Sequence, residues 1–80
     1  MTEQISRDEM NVLIALDRAR SPLSEAQLQQ SAYVAELPMA LYHLLRDELI
    51  TIPAVGFFAL TVDGLTALTT ARPYLRPSDR

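Results

Sequence analysis

The chain has 80 residues, about half of them apolar, with ten acids, seven arginines, no lysine, no cysteine and a net charge of −3. A chain this short buries only about 60% of its unfolded surface and supports a single core, while the apolar content excludes disorder. No apolar run approaches the roughly 20 residues of a membrane span, the acid-bearing Met1-Thr2-Glu3-Gln4 is unlike a secretory leader, and the lack of cysteine excludes disulfides and thiol chemistry, so a cytoplasmic protein is expected.

Ser6-Arg7-Asp8-Glu9 opens the first helix as a capping box, with Ser6 capping forward, Glu9 reaching back, and Ile5 and Met10 as the hydrophobic staple. Asn11 to Leu16 is apolar on more than one face, which marks a central helix, and Arg18 and Arg20 sit at the carbonyl end that the helix dipole favours for cations. The extra apolar width fits full burial in a small domain, or contact with the last helix or a partner chain. Ser21-Pro22 breaks this helix. Ser24 and Gln27 then form a second capping box, with Leu23 and Leu28 as its staple, for a short helix over about 24–31. From Gln29 to Glu36 no glycine marks a turn, and Tyr33-Val34-Ala35 is open between helix, turn and extended chain.

Pro38 suits the first turn of a third helix, where its missing N–H is unpaired in any case. Leu37, Leu41, Leu44, Leu45 and Leu49 fall on one side of that helix, which is expected to end near Glu48. Ile50-Thr51-Ile52 alternates as a strand, Pro53 to Gly56 turns the chain, and Phe57 to Leu60 returns antiparallel. Phe58 and Leu60 then face the core while Phe57 and Ala59 face away. Pro53 requires an edge position or the turn itself. Thr61 reads as the N-cap of the last helix, with Asp63 in its first turn complementing the dipole. Gly64 weakens that turn, so it implies a close approach of helix to strand. The helix is expected to reach about Arg72, before Pro73, and Arg76 to Arg80 reads as a frayed tail.

The pattern Gly56-x-Phe58-x-Leu60-Thr61-x-x-Gly64-x-x-Ala67-Leu68 resembles the wing-to-last-helix junction of winged helix-turn-helix regulators of the MarR and PadR kind. Leu37-x-x-Ala40-Leu41-x-x-Leu44-Leu45-Arg46-Asp47-Glu48-Leu49-Ile50 is similar to their recognition helix and first wing strand. The resemblance extends from Ser6 to about Leu75. It implies a mainly α fold with a two-stranded wing, in the order α-α-α-β-β-α, as one domain over residues 1–80 with an ordered core of about 6–75. It also implies that the third helix enters the DNA major groove, the wing meets an adjacent groove or phosphates, and two copies pair as a homodimer. Carried over to this chain, the DNA-binding positions are Met39, Tyr42, His43 and Arg46.

The charges oppose that use. Duplex binding draws on cations that displace counterions, yet Arg46 is the one firm cation on this face, Asp47 and Glu48 follow it, and the Pro53 to Gly56 turn is uncharged. Arg46 fits a guanine edge, a phosphate, or a pairing with a nearby acid equally well. Tyr42, Val55 and Phe57 instead suit a protein interface, because exposed aromatic and apolar groups on a wing grip protein better than phosphate. Two readings follow: a small, dimeric DNA-binding transcriptional regulator, placed first by the commonest use of the fold, or a winged helix serving as an acidic protein-interaction module such as an adaptor, complex subunit or inhibitor. A lone His43 without a nucleophile elbow, phosphate loop or paired acids supports no catalytic, cofactor or metal site, and no helix has the basic face of a membrane-surface binder.

Overall fold

The computed structural model describes residues 5–75, with side chains described for 5–70. Two serines start the first two helices, as expected. Ser6 Oγ accepts the Glu9 N–H at 3.1 Å while Glu9 Oε1 accepts the Ser6 N–H at 3.1 Å, which opens α1, Arg7–Ala19. The same reciprocal pair at Ser24 and Gln27, 3.2 and 2.8 Å, opens α2, Glu25–Ser31. Each box satisfies two backbone donors that a helix start otherwise leaves open. Between the helices α1 ends on Arg20 in the left-handed region at φ 57°, and Leu23–Ser24 forms a two-residue strand, β1.

The segment before α3 proves to be a pinned connector that leaves α2 extended at Ala32 and turns at Ala35-Glu36. Ala32 adopts φ −127° and ψ 146°, extended backbone that any residue accepts, so no glycine is needed to leave α2. Side chains from α1 and α2 then hold the connector's backbone. Asn11 Nδ2 donates to the Tyr33 carbonyl at 2.8 Å, Gln29 Nε2 donates to the Val34 carbonyl at 3.3 Å, and Asp8 Oδ2 accepts the Glu36 N–H at 3.3 Å. Val34 is buried by this arrangement and Tyr33 is left in solvent.

Helix α3, Leu37–Arg46, carries Pro38 in its first turn and ends two residues before the expected Glu48. Asp47 caps it and Glu48 turns left-handed at φ 63°, with the Glu48 N–H donating to the Leu45 carbonyl at 3.0 Å and the Leu49 N–H to the Leu44 carbonyl at 2.9 Å. That pair of bonds is a Schellman ending, normally built on glycine; a glutamate in the same place hides the stop from sequence inspection.

The expected two-stranded wing is one part of a three-stranded antiparallel sheet in the order β1-β3-β2, with β3, Phe57–Leu60, at the centre. Leu23 pairs with Phe58 and Ser24 with Phe57. Strand β2, Ile50–Ala54, runs through Pro53, and the turn narrows to Val55-Gly56, where Gly56 has φ 84°. Thr51 pairs with Ala59 and Ala54 with Phe57, so Ile52 and Pro53 together oppose Phe58. This bulge on an edge strand accommodates a proline, because no ladder N–H is required there.

Helix α4 spans Val62–Leu75, past the expected end near Arg72. Pro73 falls in the last turn, where its missing N–H leaves the Thr69 carbonyl without its helical donor. The expected tail, Arg76 to Arg80, lies outside the described residues, as does Met1 to Gln4. Thr61 joins α4 to the sheet. Its hydroxyl accepts the Gly64 N–H at 2.9 Å and donates to the Glu48 carbonyl at 2.8 Å, and its N–H donates to the Leu49 carbonyl at 3.1 Å. Gly64 is the close-approach glycine that its position implied: a Cβ there would land on the Leu49 carbonyl oxygen and come within 3.0 Å of Leu60 Cδ1.

All of these elements share one interior. Helix α1 packs on α2, α3, α4 and β3, which accounts for its apolar width without a second chain. Val12, Leu13, Leu28, Leu44, Ile50 and Leu68 are essentially removed from solvent, with Leu23, Phe58 and Leu60 closing the sheet side. At about 25 cal/mol per Å² of apolar surface, such burial is the main favourable term in a domain of this size. Among the described residues the result is a small mixed fold of four helices and three strands.

Candidate docking surface on α3 and the hairpin

The core spacing of α3 decides which of its residues face out. Leu37, Ala40, Leu41 and Leu44 turn inward, which leaves Met39 at 51% and Tyr42 at 61% exposure on the opposite side, three residues apart and so neighbours on the helix surface. Arg46, four residues beyond Tyr42, is also exposed. His43 lies at the flank of this outward side. It is half-buried, and its Nδ1 lies 3.0 Å from Glu9 Oε2, so it ties α3 to the first turn of α1. The Tyr42 and His43 rings sit 5.7 Å apart, tilted by 55°.

Arg46 meets an acid of its own chain, with Nε donating to Asp47 Oδ1 at 3.3 Å. Both partners are about half exposed, so the pair contributes little to stability, about 0–1 kcal/mol before salt screening. Its bearing is electrostatic: the positive charge of α3 has a negative charge beside it.

Met39 and His43 also line an open depression of about 390 Å³ between the start of α1 and the first turns of α3. Asp8, Glu9 and Glu36 share its wall. Each oxygen of the Glu9 carboxylate has a partner, Oε1 in the Ser6 N–H and Oε2 in His43. Asp8 uses Oδ2 on the Glu36 N–H, whereas the Glu36 carboxylate makes no hydrogen bond or ion pair with the described residues. In the sequence Glu9 shows only as a capping residue and nothing signals this wall, because its acids come from positions about 30 residues apart that only the packing of α1 on α3 brings together.

The hairpin residues are separate from that depression. Val55 is 96% and Phe57 40% exposed, with Ile52 of β2 exposed beside the bulge. The hairpin tip is therefore apolar and uncharged, as its sequence implies. Between residues 5 and 70 four arginines face eight acids, and five of those acids, Asp8, Glu9, Glu36, Asp47 and Glu48, flank the two ends of α3. Among the described residues no group of three or more His, Asp or Glu side chains is placed to hold a metal ion, and no helix is long and apolar enough to cross a membrane. No family model, curated protein or solved structure matches the chain.

Proposed function

We propose that the chain is a cytoplasmic winged-helix domain that binds protein rather than DNA, with the exposed side of α3 as its docking surface. One observation carries this reading: the two groups of α3 able to present positive charge each face an acid of the same chain, while the side chains left open are Met39 and Tyr42. Phosphate contacts supply essentially all of non-specific duplex affinity, and a face bounded by Asp47, Glu48 and Glu36 repels the phosphates it would have to approach. Methionine and tyrosine are instead enriched in protein interfaces, where they exclude water over a large area at small entropic cost. Val55 and Phe57 at the hairpin offer a second apolar contact of the same kind. In this reading Tyr42 is the anchor, Met39 its neighbour, and His43 a positioning residue that fixes α3 against α1.

The order of elements favours a second reading. Helices α2 and α3 joined by a short connector, followed by a hairpin, are the arrangement in which winged-helix regulators place a recognition helix in the major groove, commonly as homodimers. Fluorescence anisotropy of a labelled non-specific duplex, titrated with the full chain from low to moderate salt, separates the two. Docking on protein predicts no salt-titratable DNA binding. An affinity that falls steeply with salt and drops again in Arg46→Ala would make the chain a DNA-binding regulator and overturn the proposal.

A further inference from the structure

The acids around α3 do more than repel phosphate; they specify what the apolar face can accept. We infer that the occupant of α3 is a basic amphipathic segment of a protein, with an apolar side chain seated on Met39 and Tyr42 and a lysine or arginine in the depression walled by Asp8 and Glu36. This inference rests on the proposed protein-docking role and adds the chemistry of the partner.

Charge complementarity carries it. The depression opens beside Met39, so a long cationic side chain can lay its methylenes on Met39 and Ala40 and bring its charged end to carboxylates, the way lysine and arginine stems commonly cover apolar surface. Within the depression the Glu36 carboxylate and Asp8 Oδ1 have no partner among the described residues, whereas both Glu9 oxygens already hold one, Ser6 and His43. The Tyr42 ring is exposed on α3 next to Met39 but does not line the depression, so it serves the apolar side chain of the segment rather than the cation. At the other end of α3, Arg46 and Asp47 offset each other and Glu48 adds one exposed carboxylate, so the acids that select a cation are those at the start of the helix. Arg7 is exposed nearby in sequence but does not line the depression. A neutral apolar partner would leave the open carboxylates desolvated and unpaired, and an acidic partner would meet like charge; both are disfavoured by the same groups that favour a basic one.

The test uses a random peptide library displayed on phage, selected on the full chain, followed by anisotropy of the enriched synthetic peptides. Three proteins are compared: the unmodified chain, Tyr42→Ala, and the double variant Asp8→Asn with Glu36→Gln. Each variant is checked by circular dichroism, with Met39→Ser as a second probe of the apolar contact. The expected result is peptides rich in lysine or arginine spaced among apolar residues. Their affinity should fall about tenfold or more in Tyr42→Ala, the scale of losing an interface anchor. It should fall about threefold to tenfold in the double variant and weaken with added salt, as neutralised rim charges do. Peptides that need Tyr42 but show no basic enrichment, or bind the double variant unchanged, would overturn the inference and leave α3 as a protein-docking face. Basic peptides that bind Tyr42→Ala as well as the unmodified chain, or no enrichment at all, would overturn both.

Discussion

Replacing Gly64 by alanine tests whether the contact between α4 and the sheet is as tight as its geometry implies. The added Cβ would fall on the Leu49 carbonyl oxygen, with Leu49 C and Leu60 Cδ1 each at 3.0 Å. The nearest obstacle is backbone, so no side-chain rotation relieves it. That carbonyl also accepts the Thr61 N–H, so moving it away weakens the bonds Thr61 makes to Leu49, Glu48 and Gly64. Overpacking of this kind costs about 1–3 kcal/mol. A hydrogen bond lost outright costs about 0.5–1.5 kcal/mol, so partial weakening of the three adds about 2 kcal/mol in all. Alanine's better helix propensity returns about 1 kcal/mol. The net loss is about 2–4 kcal/mol, against about 4–12 kcal/mol for a whole domain of this length. For a domain this small that corresponds to a melting temperature lower by about 10–25 °C. Urea unfolding followed by far-ultraviolet circular dichroism measures it, with Thr66→Ala at an exposed position of the same helix as the propensity control. A Gly64→Ala protein as stable as the unmodified chain would mean that α4 does not sit against Leu49, and the account of how the hairpin is held would fail with it.

Glu48→Gly should leave stability unchanged or raise it by up to about 1 kcal/mol, because the left-handed backbone at φ 63° strains any residue with a Cβ while glycine gives back part of the gain as chain entropy; a lower urea midpoint would contradict the Schellman ending. Ser6→Ala and Ser24→Ala should each cost about 1 kcal/mol, and the double variant close to their sum, since the boxes share no partner. Coupling in that double-mutant cycle would show that the two helix starts are not independent. Leu13→Ala should lose about 2–5 kcal/mol, because Leu13 is fully buried in α1 and leaves a cavity; Val55→Ser, at the solvated hairpin tip, should shift the midpoint by less than about 0.5 kcal/mol. Thermal melts of the pair check both.

What the sequence made legible was local. Ser6 with Glu9, Ser24 with Gln27, and Thr61 with Gly64 are bonds between residues three apart, so their chemistry lies in adjacent letters. The facing of Phe58 and Leu60 followed from strand alternation alone. What stayed hidden depended on long-range partners or on a residue in an unusual role. Strand β1 is two residues long and exists only because β3 lies beside it. The end of α3 carries a glutamate where glycine would have announced the turn. For the candidate site, the outward placement of Met39, Tyr42 and Arg46 was legible from helical spacing, whereas the turning of His43 toward Glu9, 34 residues away, had no local signature. The acidic wall beside α3 was hidden for the same reason.

The threonine at position 61 has an evolutionary consequence. It fastens the chain just after the hairpin to the carbonyls of Glu48 and Leu49 just before it, which closes the hairpin's base, while Ile50, Phe58 and Leu60 pack on the core and β3 pairs with β1, so only the tip stands clear of the body. Loop entropy rises only slowly with length, so substitutions or insertions at the Val55-Gly56 tip are free to lengthen or reshape the ribbon without disturbing that neck. The hairpin is thus an exchangeable fingertip on a rigid knuckle, and its contacts can diversify while the helices beneath it stay the same.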